Sequence, residues 1–213
     1  MAPKKKRNTS LSPKKTGTKN LKRRYLIFCE DTYGGTTYFT KMKEKQRFSN
    51  VSIDIGDRHG EPYGLVLAAQ KRQEFAHRRR GDQGTEYDEV WCVIDVEAPR
   101  PHDSLDRAMG LARDSGIEIA YANPCFELWL YLHQREPAGY LTTEQAIAKM
   151  EGLGCCYSRR KDFDPEHFLG QPQQEAIRRA ELLEKRHQET LHPSKKNPWT
   201  NVHRLVRGLL DHA

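Results

Sequence analysis

The 213 residues include no run of 18 or more apolar side chains, and no apolar segment follows the basic residues that open the chain. Without the first there is no candidate membrane-spanning helix. Without the second, secretion is not expected. The expectation is a cytoplasmic protein with no membrane partner. C-x-x-C spacing is also missing among the five cysteines, Cys29, Cys92, Cys125, Cys155 and Cys156. That pattern is a poor fit to a thiolate zinc site. Three of the five sit inside apolar runs and read as small buried hydrophobes in a reducing compartment.

Acidic residues are absent from positions 1 to 24, where ten Lys or Arg occur. The remaining positions carry 26 basic and 29 acidic residues, a balance of −3, so the whole excess of +7 comes from this segment. With almost no apolar side chain it cannot offset the entropy of ordering. Residues 1–23 therefore read as a disordered basic tail, a solvated arm without base readout. Its Lys4, Lys5, Lys6 and Arg7 are candidate phosphate contacts, with an affinity that salt should weaken. The same "PKKKR" string matches a nuclear-import pattern, but such strings are short enough to arise by chance. The rest of the chain is long enough for one main domain.

Past the tail, apolar runs alternate with helical patterns. "YLIFCED" (25–31), "VSIDIGD" (51–57), "EVWCVIDVE" (89–97) and "IEIAYANP" (117–124) read as strands. Between them lie "TTYFTKMKEKQRF" and "PYGLVLAAQKRQEFAHRRR", the latter with Pro near its start and cations at its end. A third helix, "SLDRAMGLARDSG", opens on Ser104 as an N-cap and stops at Gly116. Such β-α-β-α-β-α-β alternation implies parallel strands joined by right-handed crossovers. The unbroken "VWCVI" fits a strand buried on both faces. The fold class is α/β, a mostly parallel sheet flanked by helices over residues 24–135.

In an open α/β sheet, sites form outside the carboxyl ends of the strands. Glu30 and Asp31 end the first strand, Asp57 the second, Asp95 and Glu97 the third and Asn123 the fourth. Acids scattered in sequence would thus meet on one rim, where they repel one another unless a cation is present. An all-oxygen ligand set suits Mg²⁺ or Mn²⁺. Asp95 and Glu97 are two apart, so on a regular strand they point to the same side. The plainer reading of any single acid is that it marks where a strand reaches water.

Residues 136–213 read as a helical C-terminal part expected to pack on the core. Just before it, "NPCFELWLYLH" reads as a helix too apolar for the surface, with Glu127 as its one charge. That carboxylate either faces the acidic rim or pairs with an Arg from the C-terminal half. "TTEQAIAKMEGLG" (142–154) and "QQEAIRRAELLEKRHQET" (173–190) read as helices, and Thr200 as the N-cap of a last one. Arg159, Arg160 and Lys161 form a cationic loop, either solvated or in contact with phosphate. His203 reads as a packed residue rather than a catalyst.

The segments "YLIFCED", "VWCVIDVE", "ANPCFELWLYLH" and "NPWTNVHRLV" follow the order and spacing of the RloB-like proteins, and the chain resembles that family over residues 24 to 211. The resemblance implies a Toprim-like (Rossmann-like) fold, a prokaryotic role in phage defence and a partner ATPase. It further implies a metal-dependent nuclease in which Glu30, Asp95 and Glu97 bind Mg²⁺ or Mn²⁺, with Glu30 and Asp95 catalytic. Beside them, Asp31, Asp57, Asn123 and Glu127 are candidate supporting residues by their expected place at the rim, not by the resemblance. The substrate would be nucleic acid, DNA or RNA, with tRNA as plausible as phage DNA. Two departures stand out. Asp31 replaces the Gly common after the Cys-Glu pair, and Gly34-Gly35 stand where Thr-Glu is common, which removes an acid. Glu97 stands in for Asp. The alternatives are a non-catalytic module that binds nucleic acid or a partner, and a small-nucleotide or nucleotidyl-transfer enzyme sharing the rim.

Overall fold

A computed structural model describes residues 22–46, 48–79, 86–154, 157, 164 and 167–212. The tail residues Lys4, Lys5, Lys6 and Arg7, the cations Arg159, Arg160 and Lys161, and Cys155 and Cys156 lie outside the described residues. Four parallel strands, β1 (Arg23–Cys29), β2 (Val51–Ile55), β3 (Glu89–Asp95) and β4 (Glu118–Asn123), alternate with α1 (Gly35–Lys45), α2 (Pro62–Arg78) and α3 (Leu105–Ser115). Then follow α4 (Phe126–Leu132), α5 (Thr143–Glu151), α6 (Gln171–Glu184), a 3-10 turn (Pro193–Lys195), β5 (Trp199–Thr200) and α7 (Val202–Asp211). The sheet order is β2-β1-β3-β4-β5, with β5 antiparallel to β4. The α/β class and the mostly parallel sheet are as the alternation predicts. No helix among the described residues is long and apolar enough to cross a membrane.

Alternation along β1 divides the core between two faces. Tyr25, Ile27 and Cys29 pack with α1 and α4 to α7, while Leu26 and Phe28 pack with α2 and α3. Because both faces are covered, β3 is buried from Val90 to Asp95, which explains its unbroken apolar run. α4 is buried at every position, as its composition requires. Leu141, Ala146, Met150, Ala176, Leu205 and Leu209 join the same cluster as β1, so the C-terminal residues share the core of the sheet. Cys29, Cys92 and Cys125 are free, buried thiols.

Three local readings need correction. The helix placed at 173–190 runs from Gln171 to Glu184: Pro172 lies in its first turn, and the chain turns away after Lys185. Ser104 precedes α3 but makes no capping bond, since its hydroxyl donates to Glu61, the N-cap of α2. Thr200 belongs to β5, and Asn201 occupies the cap position of α7. The reason is the exposed edge of β4, whose backbone groups need partners. The Thr200 hydroxyl donates to the Tyr121 carbonyl at 2.7 Å. The Asn201 amide accepts from Tyr121 N at 2.6 Å and donates to the Ile119 carbonyl at 3.0 Å.

Gly56 shows how tightly the β2 end is seated. Its N–H donates to the Ile27 carbonyl at 2.8 Å. A Cβ built at this position overlaps the buried Phe28 ring. Gly56→Ala should destabilise the fold by about 1–3 kcal/mol through forced repacking. Urea unfolding of the two proteins checks this, and equal midpoints would refute it.

Candidate active site at the carboxyl edge of the sheet

Right-handed crossovers decide where the crevice opens. The chain leaves β1 for α1 on one face, and leaves β2 and β3 for α2 and α3 on the other. The adjacent strands β1 and β3 therefore send their carboxyl-end loops apart, which makes the point between them the expected binding crevice. Glu30 directly follows β1, and Asp95 is the last residue of β3.

The two acids are brought together. The Asp95 backbone N–H donates to Glu30 Oε2 at 3.0 Å, and Glu30 N–H continues the ladder to the Val93 carbonyl at 3.1 Å. Gly60 N–H holds the Glu30 carbonyl at 2.9 Å, and His59 Nδ1 lies 3.0 Å from the Cys29 carbonyl, so the loop after β2 wraps the end of β1. His102, in the loop after β3, places Nε2 2.8 Å from Glu30 Oε1. The Asp95 side chain is 9 % exposed, and no donor among the described residues is hydrogen-bonded to its carboxylate.

Glu97 does not lie on a regular strand. Its φ of 69° turns the chain sharply after Asp95, its N–H donates to the Pro124 carbonyl at 2.8 Å, and its carboxylate accepts the Thr143 hydroxyl. The same hydroxyl accepts from Ala98 N–H at 3.2 Å, tying the β3 exit to the start of α5. The simple two-residue projection of Asp95 and Glu97 is thus replaced by a turn that directs Glu97 toward α5.

The other acids have varied settings. Asp31 accepts from the N–H groups of Gly34 and Gly35, both at 2.9 Å, and so fixes the turn into α1. A Cβ at Gly34 would overlap that carboxylate, so Asp31 and Gly34 are sterically matched. Glu127, 1 % exposed, accepts the Tyr157 hydroxyl at 2.6 Å. Its charge acts on Asp95, which puts it on the acidic side of α4, and its described hydrogen-bond donor from the C-terminal part is a tyrosine. Asp57 is exposed and contributes to the field at Arg72. Asn123 is used structurally: it donates to the Pro193 carbonyl and accepts from Asn197, each at 2.9 Å. His203 is buried beside Glu184, and burial lowers its pKa.

Burial pushes the Glu30 carboxyl up to about 8, opposed by the bond from Asp95 N–H and reinforced by the charges of Glu97, Asp31 and Glu61. Asp95 is held well above the usual carboxylate range by burial, then by the charges of Glu30, Glu127, Asp31 and Glu97. This donor set is hard, anionic and crowded, which suits a small divalent cation. Among the described residues, no three His, Cys, Asp or Glu side chains gather closely enough to enclose an ion by themselves. The fit is to Mg²⁺ or Mn²⁺ bound through one or two carboxylates, the remaining positions being open to water and phosphate oxygens.

Sequence reasoning missed His102, Thr143 and Tyr157. Only His102 carried a usable signal, an ionisable group in the loop after a strand that ends in an acid. Thr143 and Tyr157 reach the site through tertiary packing.

Fold and site together define an α/β protein with a buried acidic centre at the carboxyl edge of its parallel strands. A family model described as RloB-like protein matches residues 25–209. The chain belongs to the RloB-like family. No curated protein and no solved structure matches it.

A pH prediction follows from Glu30. The folded carboxyl keeps its proton up to about 8, against 4.5 for an ordinary glutamate. Between those values the folded state binds more protons than the unfolded state, so metal-free stability falls as pH rises and levels off above the upper value. The Glu30 contribution to that loss is on the order of a few kcal/mol. Glu30→Gln should flatten the slope of melting temperature against pH in EDTA, and parallel slopes for the two proteins would refute the assignment.

Proposed function

We propose that this chain is a metal-dependent nuclease of the Toprim-like class, hydrolysing phosphodiester bonds in DNA or RNA, tRNA included. The observation that carries the reading is the buried Asp95 carboxylate, hydrogen-bonded to no described donor and set beside Glu30 where β1 and β3 part. Asp95 and Glu30 would hold Mg²⁺ or Mn²⁺, with Glu97 reaching it through water. Bound there, the ion would polarise a phosphate oxygen and neutralise charge developing in the transition state. His102 would orient Glu30 from its 2.8 Å contact. Glu30, if not itself a ligand, is the group whose raised pKa suits proton transfer near neutral pH. Family membership supports extending the proposal to a prokaryotic anti-phage system in the cytoplasm, working with a partner ATPase. Lys4, Lys5, Lys6, Arg7, Arg159, Arg160 and Lys161 would add phosphate affinity.

A second reading, a non-catalytic module for nucleic acid or a partner, is favoured by one observation: the Glu97 carboxylate is already engaged by Thr143. Cleavage assays separate the two. With Mn²⁺ or Mg²⁺ and the partner ATPase present, Asp95→Asn and Glu30→Gln should each lower cleavage of DNA or RNA roughly 10²-fold or more, with melting curves showing both variants folded. Cleavage that survives both substitutions, or that proceeds in EDTA, would sink the nuclease reading.

A further inference from the structure

The turn between β1 and α1 carries an aromatic ring whose setting goes beyond the metal chemistry. Tyr33 is 57 % exposed, two residues after Asp31 and three after Glu30. The turn beneath it is pinned on both sides. Asp31 accepts from Gly34 and Gly35 N–H, the Thr36 hydroxyl donates to the Asp31 carbonyl at 2.7 Å, and both glycines are buried. Isolated exposed aromatics are ordinary on protein surfaces. A ring carried on a turn whose backbone is held this firmly, three residues from Glu30, is less so, because the backbone's ordering entropy is already spent.

The loops that lead to the other face of the sheet carry positive charge. Arg58, in the loop after β2, and Arg100 and Arg107, in and beyond the loop after β3, are exposed. Arg107 stacks its guanidinium over the Tyr63 ring at 4.1 Å, which limits its freedom while leaving the cation at the surface. Because α1 lies on one face of the sheet and α2 and α3 on the other, the loop bearing Tyr33 and the loops leading to the arginines leave the carboxyl edge toward opposite faces, to either side of the β1–β3 parting where Glu30 and Asp95 sit. A duplex hides the faces of its bases, whereas an unpaired strand offers a base for stacking and a phosphate for the cations.

Resting on the nuclease reading, we propose that the crevice takes an unpaired nucleic-acid strand, with one base stacked on Tyr33 and its backbone drawn to Arg58, Arg100 and Arg107. The substrate class is therefore single-stranded nucleic acid, or an unpaired loop within a structured one. The ring is the required feature and the hydroxyl is not.

The test uses the full chain in Ca²⁺, a DNA strand containing 2-aminopurine, the same sequence as RNA, and a blunt DNA duplex. Binding is read by anisotropy and stacking by quenching of 2-aminopurine. Wild type and Tyr33→Phe should prefer the single strand and quench its fluorescence. Tyr33→Leu should bind it about 5- to 150-fold more weakly without quenching. Phe75→Leu, altering another exposed ring on α2, should behave as wild type. Single-strand binding unchanged in Tyr33→Leu, equal affinity for duplex, or an equal loss in Phe75→Leu overturns the stacking proposal and leaves the nuclease reading standing. Wild type that binds no nucleic acid with the partner ATPase present overturns both.

Discussion

The handedness of the strand crossovers is the constraint on which the rest of this molecule depends. A right-handed connection leaving β1 toward β2 must lie on one face, and those leaving β2 and β3 in the opposite direction must lie on the other. The backbone is thereby obliged to part between two adjacent, fully paired strands. Glu30 and Asp95 owe their proximity to that parting, since the same residues at strands further apart in the sheet could not share a hydrogen bond.

The arrangement works against the stability of the chain by itself. Two carboxyls are buried where their charged forms repel each other and the four further acids Asp31, Glu61, Glu97 and Glu127, and the immediate compensation is a backbone N–H, a histidine ring and the local fold. Proteins place groups in such settings at sites where another species supplies the missing interaction. The surrounding bonds are correspondingly firm. Gly60 holds the Glu30 carbonyl and His59 the Cys29 carbonyl, Pro124 and Thr143 fix Glu97, and Asn123 and Asn197 brace the end of β4. Rigid support of this kind keeps the acids from relaxing away from one another into solvent.

Much of this was legible in the sequence because it follows from short-range pattern. The β-α alternation, the two-sided burial of β3 and the position of Glu30 and Asp95 at strand ends all come from local periodicity and punctuation. What escaped reading depends on partners far along the chain. β5 is two residues long and exists because β4 has an edge to satisfy, so no propensity signal marks it. The left-handed backbone of Glu97 is imposed by the path of the chain toward α5 and gives no sign in residue type. Thr143 reads as an ordinary first-turn residue until its hydroxyl meets an acid from 46 positions earlier. Asp31 is the instructive intermediate case. With Gly34-Gly35 where Thr-Glu is common, the segment looks like the loss of an acid in one dimension, and in three dimensions Asp31 is a carboxylate that accepts from both glycine N–H groups and lies where a Cβ on Gly34 would fall.

The Tyr25 hydroxyl, on the first strand, donates to the Gly208 carbonyl on the last helix across 183 positions at 3.3 Å, and both residues lie within one apolar cluster or on its border. Contacts of such range bind the ends of the described chain into a single cooperative unit. Amide exchange in the β1 ladder should therefore follow global rather than local opening. A partner that loosened α7 would be felt in the very strand that carries Glu30, without touching the crevice itself.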